Sequence, residues 1–451
     1  MDKILSKAKS GIENSLDKES QTLFRNSSWV FLSNFTGIGL NVIRSIVIAR
    51  GLGADTFGAY AIVVAFTGIV QEFVNLNLGT AVIKFGAAFQ GEGRNDKLAA
   101  LVKLSLKLSA IMLLISIAVI CALTFLSYNF FVPRPGLQLF IILYAIASGS
   151  RYFNSISTGL LRLFYRFRLN SIITIIMDLV ETVLVVLAVF FYPANLDVFF
   201  LTIIATIFLN GIICNVMAFI EVRGQLGDLW HAGTDLISKE ISAIRTFIIS
   251  NSLGNSLKAV MAQGDVLLLG ILAGPTQVAF YAIAKKIGYA FLALTDPLMQ
   301  SIFPQFSKLL AEHKHAETRK MLKKITLLAL LPAIGFTVVT LFLREWLFTT
   351  VFGTQYLESI HPFVFLLFSA VFSAVTFWSL PLIVSLGLVK LRVKVYVIAI
   401  LAGSLIAYFA IPAMHASGMA LALLCMNIII NSIFIYFALM KMKVKHAPAT
   451  A

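Results

Sequence analysis

The stretch Asp265-Val-Leu-Leu-Leu-Gly270-Ile-Leu-Ala-Gly274-Pro275-Thr-Gln-Val-Ala-Phe-Tyr281-Ala-Ile283 decides the reading of the fold. With its flanks, from Ile248 to Pro304, it reads as two membrane helices joined by one tight turn at Gly274-Pro275. An earlier stretch repeats it: Arg44-Ser-Ile-Val-Ile-Ala-Arg50-Gly-Leu-Gly53-Ala-Asp55-Thr-Phe-Gly-Ala-Tyr60-Ala-Ile62. At an offset of 221 residues Gly53 falls on Gly274, Tyr60 on Tyr281, Ala61 on Ala282 and Ile62 on Ile283. Upstream, Asn34 falls on Asn255, and Arg44 falls on Asp265 with the charge reversed. The offset is about half the chain, as a parallel internal repeat requires, so two related halves are expected.

Composition says what surrounds them. Of 451 residues 59% are hydrophobic and only 13% charged, with a mean hydropathy of +0.91. Soluble chains carry about 45–50% apolar and about 25% charged residues. No soluble core of this length absorbs so much apolar surface, so lipid is the solvent. Cys121, Cys214 and Cys425 each lie in an apolar run without metal-ligand spacing, so neither a disulfide nor a zinc site is expected. Residues 1–25 lack the apolar core of a signal peptide, which implies that the first helix is retained.

A membrane span needs about 20 mostly apolar residues, and about twelve such runs are present. The first half gives 26–49, 57–85, 103–126, 137–160, 171–191 and 197–220. The second gives 248–272, 278–303, 325–348, 362–386, 394–411 and 417–440. The expected organisation is a cytoplasmic segment 1–25, an N-lobe 26–220, a linker 221–240, a C-lobe 241–440 and a tail 441–451. The fold class is thus an all-α integral membrane protein of about 12 transmembrane helices in two pseudo-symmetric six-helix lobes.

Lys and Arg set the orientation. With the N-terminus cytoplasmic, about 24 of the 36 basic residues fall in inner segments and about one, Arg134, in an outer loop. This topology places both termini inside. It accounts for most of the net charge of +15 without nucleic acid. The basic clusters Arg162, Arg166, Arg168 and Lys320, Lys323, Lys324 read as contacts with anionic headgroups. The outer loops are short, and no phosphate-binding loop, HExxH or GxSxG occurs, which argues against a membrane glycosyltransferase, polymerase or hydrolase. No catalytic or metal-binding residue is assigned.

Charge within the bilayer costs about 2.5–3.5 kcal/mol per residue on the mildest scale, so such residues should face protein or water. Asn34, Gly37, Asn41 and Arg44 share one helix face, as do Asn251, Asn255, Lys258, Ala262 and Asp265. Glu72, Asn75 and Gly79 form a third face, Arg151, Asn154, Ser155 and Thr158 a fourth, and Asp178, Glu181 and Thr182 lie near the middle of their run. Lys285 and Lys286 follow Tyr281. The candidate substrate-lining set is Arg44, Lys258, Arg151, Asn34, Asn41, Asn255 and Lys285. Two readings stand for Arg44: it lines a central cavity with Lys258, or it pairs with Asp265. Arg151 and Asp178, at similar estimated depth, are expected to form a structural ion pair. Glu72, Asp178, Glu181 and Asp265 either bind a coupling H⁺ or Na⁺ or neutralise nearby cations. Gly37, Gly39, Gly254, Gly335 and Gly403 are expected to allow close helix contact.

The run Asn26-Ser-Ser-Trp-Val-Phe-Leu-Ser-Asn34, continued in Ile48-Ala-Arg50-Gly-Leu-Gly53-Ala-Asp-Thr-Phe57-Gly-Ala-Tyr60, resembles the opening of polysaccharide biosynthesis flippases of the Wzx type. Tyr281-Ala-Ile-Ala-Lys285-Lys-Ile287 and Phe303-Pro304-Gln-Phe-Ser307-Lys308-Leu309 are similar to the second signature of that family. The resemblance covers nearly the whole chain. It marks the multidrug/oligosaccharidyl-lipid/polysaccharide exporter superfamily better than any one substrate. It implies two six-helix lobes opening alternately to either side, as in the multidrug (MATE-type) exporters. It also implies transport of an undecaprenyl-pyrophosphate-linked oligosaccharide repeat, for O-antigen, capsule or exopolysaccharide, across the bacterial inner membrane through a cationic cavity. Membrane lipids, a polysaccharide polymerase or glycosyltransferases are the implied partners, and no cofactor is expected beyond an H⁺ or Na⁺ gradient. The alternative is a cation-coupled multidrug exporter of the same superfamily.

Overall fold

The computed structural model describes residues 18–126, 137–193, 195–226 and 233–444. Residues 1–17 and 445–451, most of the two terminal segments assigned from sequence, lie outside them, as does Arg134. Every regular element among the described residues is helical. The first are α1 Lys18–Leu52, α2 Ala54–Val74, α3 Leu78–Gly91, α4 Asn95–Leu126, α5 Leu137–Ser148, α6 Ser150–Leu163, α7 Phe167–Phe191 and α8 Leu196–Leu226. A 3-10 turn, Thr234–Ile237, precedes α9 Ile241–Ala273 and α10 Pro275–Gly288. Then come α11 Thr295–Ala311, α12 His315–Phe342, α13 Ile360–Val375, α14 Ser379–Ser385, α15 Val389–Met414 and α16 Ala416–Val444.

Among the described residues ten helical segments are long and apolar enough to cross a membrane. The two remaining runs expected from the sequence are helical but interrupted. One is divided at Gly149 between α5 and α6, where the Tyr152 N–H bonds the Gly149 carbonyl three residues back and tightens the turn. The other is divided by the 3-10 turn Ala290–Leu294 between α10 and α11. A third expected span, 57–85, also breaks. Asn77 adopts φ 49°, and the Asn75 side chain accepts from its backbone N–H at 2.9 Å. Asparagine tolerates that left-handed conformation and forms such local turns readily. Large apolar side chains such as Leu331, Phe342, Leu405 and Phe409 are exposed on the outward faces, as lipid requires. This is a multi-pass membrane protein.

The chain divides into two compact units. The first comprises, among the described residues, 18–51, 67–126, 137–193, 195–226 and 233–259. Its core joins Leu78, Val82, Leu98 and Leu101 of α3 and α4 to Tyr152, Ile156 and Leu160 of α6 and to Ile244 and Ile248 of α9. Helices α3 and α6 meet backbone to backbone: a Cβ on Gly79 would stand 2.1 Å from the Ser155 carbonyl oxygen. The second unit comprises, among the described residues, 52–66 and 260–444. Its core joins Phe306 and Leu310 of α11, Leu382 and Ile383 of α14, Val395 and Ala399 of α15 and Phe434 of α16.

Both copies of the repeated turn lie in the second unit. Gly53 has φ +80° and Gly274 has φ +83°, each closing one helix and opening the next. The first helical bonds match as well, from Phe57 N–H to the Gly53 carbonyl at 3.1 Å and from Val278 N–H to the Gly274 carbonyl at 3.3 Å. The two turns also pack together. A Cβ on Gly58 would overlap the Pro275 carbonyl oxygen, at 1.7 Å. Among the five glycines expected at close contacts, only Gly37 and Gly403 meet a neighbour. A Cβ on Gly39, Gly254 or Gly335 would find nothing within 4 Å. The closest approaches to another stretch of backbone fall instead at Gly58, Gly79 and Gly418.

Candidate functional site

In the first unit α1 presents Arg44 to α7. Arg44 is buried, and its guanidinium lies 2.5 Å from the Glu181 carboxylate and 3.9 Å from that of Asp178. The i, i+3 spacing puts both carboxylates on one face of α7. Gly37, two turns before Arg44, leaves room for them: a Cβ there would come to 3.0 Å of Asp178 Oδ2. Arg44 is therefore neither an unpaired cavity cation nor the partner of Asp265. It is held by two carboxylates, which leaves the cluster with one formal negative charge in excess. Asn34 and Asn41, on the same helix, are exposed.

The expected Arg151–Asp178 pair does not form. Arg151 on α6 is exposed, and its guanidinium donates to the Tyr144 hydroxyl at a long 3.5 Å. Similar depth on consecutive helices was insufficient, because α1 places Arg44 against Asp178 first. Glu72 has a structural role. It accepts from Asn75 Nδ2 at 3.2 Å and Asn77 Nδ2 at 3.4 Å, tying the side chains that form the α2–α3 break.

Helix α9 carries Asn255 and Lys258 in its first-unit part. The Ser256 hydroxyl donates to the Glu72 carbonyl at 3.1 Å, so this side of α9 packs on α2. Lys258, two residues beyond Ser256, projects elsewhere and is exposed. Among the described residues no hydrogen bond or ion pair engages it. Asn255 is half-buried.

In the second unit Asp265 is buried and fully engaged. It accepts from the Tyr281 hydroxyl at 2.5 Å and from the Lys285 ammonium, while the Val266 N–H bonds its other oxygen at 2.9 Å. Tyr281 and Lys285 are four apart on α10, hence on one face toward α9. Lys285 also donates to the Ala262 carbonyl at 3.1 Å. It is thus the counter-charge of Asp265 rather than a free cavity cation. The repeat positions Arg44 and Asp265 carry opposite charges and solve their burial with unrelated partners, α7 carboxylates in one case and α10 donors in the other.

Tyr281 as a carboxylate ligand was missed from the sequence, although its i, i+4 spacing to Lys285 was available. Gln71, which donates to the Ala145 carbonyl at 3.0 Å and the Ser148 hydroxyl at 2.8 Å, carried no signal, since one uncharged amide in an apolar run is common.

The fold has solved counterparts. An inward-facing multidrug resistance MATE family transporter of the MOP superfamily superposes with a TM-score of 0.68 at 15% identity, covering 91% of this chain and 96% of its own. The lipid II flippase MurJ in an inward closed conformation superposes with a TM-score of 0.69 at 12% identity, covering 95% and 93%. A MOP superfamily transporter from Pyrococcus furiosus, described as having reversed polarity in its binding pocket, gives 0.58 at 15% identity, covering 93% and 96%. Among curated protein sequences none matches the chain. The chain shares the fold of these two transporters and of this flippase. The match to the family described as Polysaccharide biosynthesis protein runs over residues 23–310, well over half the chain. The protein belongs to that family.

Proposed function

We propose that this protein is a flippase for an undecaprenyl-pyrophosphate-linked oligosaccharide repeat unit, which it moves from the cytoplasmic to the outer leaflet of the bacterial inner membrane by alternating access. The observation that carries this reading is Lys258, an exposed cation without a partner among the described residues, well inside a helix long enough to span the bilayer. An unpaired charge at such a position is costly and by default serves function. A pyrophosphate crossing a low-dielectric path needs fixed positive charge to offset its lost hydration. The lipid tail stays in the bilayer while the headgroup passes Lys258, with Asn255 beside it as a hydrogen-bonding group.

The carboxylate in excess at Asp178 and Glu181 is a place for a coupling proton or Na⁺, which would alter how firmly α1 and α7 are held together through Arg44. Family membership supports the glycan, and the Lys and Arg distribution supports cytoplasmic termini, where a polymerase or glycosyltransferase would dock.

The test is a deletion strain in which undecaprenyl-linked oligosaccharide and surface glycan are quantified together. The reading predicts that the repeat unit accumulates on its lipid carrier while surface polymer falls. Unchanged glycan together with new sensitivity to cationic drugs would replace it with the exporter reading.

A further inference from the structure

The second unit contains a cavity of about 340 Å³ framed by α9, α11, α13, α14, α15 and α16. Its volume sits at the small end of the 300–1,000 Å³ typical of small-ligand pockets. Asn427, Asn431, Thr295 and Ser373 supply its amide and hydroxyl groups, and Phe377, Tyr396 and Phe434 supply rings. The Tyr396 and Phe434 rings, 5.9 Å apart and inclined by 52°, form a corner. Among the described residues no Lys, Arg, Asp, Glu or His lines it.

The amides are oriented by hydrogen bonds to neighbouring side chains and backbone. Asn427 Nδ2 donates to the Ser369 hydroxyl at 2.7 Å and the Tyr289 hydroxyl at 3.1 Å. The Ser379 hydroxyl donates to Asn431 Oδ1 at 2.7 Å, and Asn431 Nδ2 donates to the Asn427 carbonyl at 3.0 Å. Among the described residues nothing donates to Asn427 Oδ1. That acceptor and the second Nδ2 hydrogen of Asn431 remain for a ligand. Polar residues that merely join membrane helices touch one another and leave no such space.

From this geometry we propose that the pocket binds one uncharged sugar residue of the transported glycan. The proposal rests on the flippase reading above and names a subsite for it. Oriented amides and hydroxyls match the paired donor and acceptor character of sugar hydroxyls. The aromatic corner matches the apolar faces of a pyranose ring. The absence of lining charge separates this pocket from the Lys258 region: a pyrophosphate is served there, and a neutral ring here. A hard metal cation fits poorly, since no carboxylate lines the pocket to coordinate it.

The test uses the purified full-length protein in lipid nanodiscs, with thermal unfolding followed against methyl glycosides of neutral hexoses, N-acetylglucosamine, glucuronate and sodium chloride. A neutral sugar is expected to raise the unfolding temperature saturably. Asn427→Leu should weaken that effect about tenfold or more, since it removes the free acceptor. Because Asn427→Leu also cuts those hydrogen bonds, Ser373→Met is the companion variant. It fills the pocket without touching that network, and should abolish the sugar effect at unchanged unfolding temperature. Stabilisation by sodium chloride alone, by no glycoside, or by glycosides equally in Ser373→Met would overturn the proposal. The flippase reading is scored separately, from glycan in the deletion strain restored with wild-type protein. A strain rescued equally by Ser373→Met and wild type leaves that reading standing and removes the sugar subsite.

Discussion

The guanidinium of Arg44 on α1 lies 2.5 Å from the carboxylate of Glu181 on α7, 137 positions later in the chain. This pair, with Asp178 at 3.9 Å, secures α1 to the first unit. Arg44 is buried and its carboxylates half-buried, so removing it costs less than the about 3–5 kcal/mol of a fully buried pair but still leaves two carboxylates without compensation. Arg44→Ala should therefore lower folded yield and unfolding temperature, while Arg44→Lys, which keeps the charge, should retain most of both. Fluorescence-detected size exclusion and thermal unfolding measure this. Equal stability of Arg44→Ala and wild type would show that the pair does not hold the helix.

Arg151 behaves oppositely. It is exposed, and its bond to Tyr144 is at the limit of hydrogen-bond length. Arg151→Ala should change stability by about 0.5 kcal/mol or less, the usual range for surface substitutions away from special features. A severe folding loss in thermal unfolding would restore the structural role that sequence depth assigned to it.

Lys258 separates folding from transport. Among the described residues it has no partner to abandon, so Lys258→Gln should express and unfold as wild type does. Surface glycan should fall at least about tenfold, as expected from losing one charge-assisted contact to a pyrophosphate. Lys258→Arg should retain export. Undiminished glycan in Lys258→Gln would detach this residue from the substrate path.

How far these assignments were legible in the sequence depended on the range of the interaction. Helix runs declare themselves through local hydropathy, and the repeated turn through Gly53 and Gly274, where a positive φ demands glycine at the same register. Interruptions at Asn77 and Gly149 sit inside continuous apolar runs and were read through. Ion-pair partners were the least legible. Periodicity places Arg44 and Asp178 each on a face, but which faces meet is settled by how α1 and α7 pack. The Asn427–Asn431 pocket escaped because uncharged amides carry no cost large enough to single them out.

Glu240 lies just before α9 and receives a hydrogen bond from Lys97 at 2.5 Å. That bond and the lysine charge hold its carboxyl below the ordinary value of 4.5. A carboxyl lowered in the folded state stabilises above its unfolded value and loses that contribution as pH falls through the folded one. Wild type should thus exceed Glu240→Gln in unfolding temperature at neutral pH, and the gap should close below about pH 4.5. A gap that persists in acid would assign the effect to packing rather than charge.

The glycines offer the sharpest contrast. Gly58 stands where a Cβ would be 1.7 Å from the Pro275 carbonyl oxygen, and backbone there has no freedom to yield. Gly254 lies within α9, where a Cβ would meet nothing within 4 Å. Gly58→Ala should force the two repeat turns apart and lower the unfolding temperature strongly, an overpacking cost of about 1–3 kcal/mol or more. Gly254→Ala should be neutral or stabilising by about 0.5–1 kcal/mol, since it removes helix-interior glycine at no steric cost. Thermal unfolding of both variants in the same lipid distinguishes them. Equal tolerance at the two sites would mean that α2 and α10 do not approach as closely as the Gly58–Pro275 contact requires.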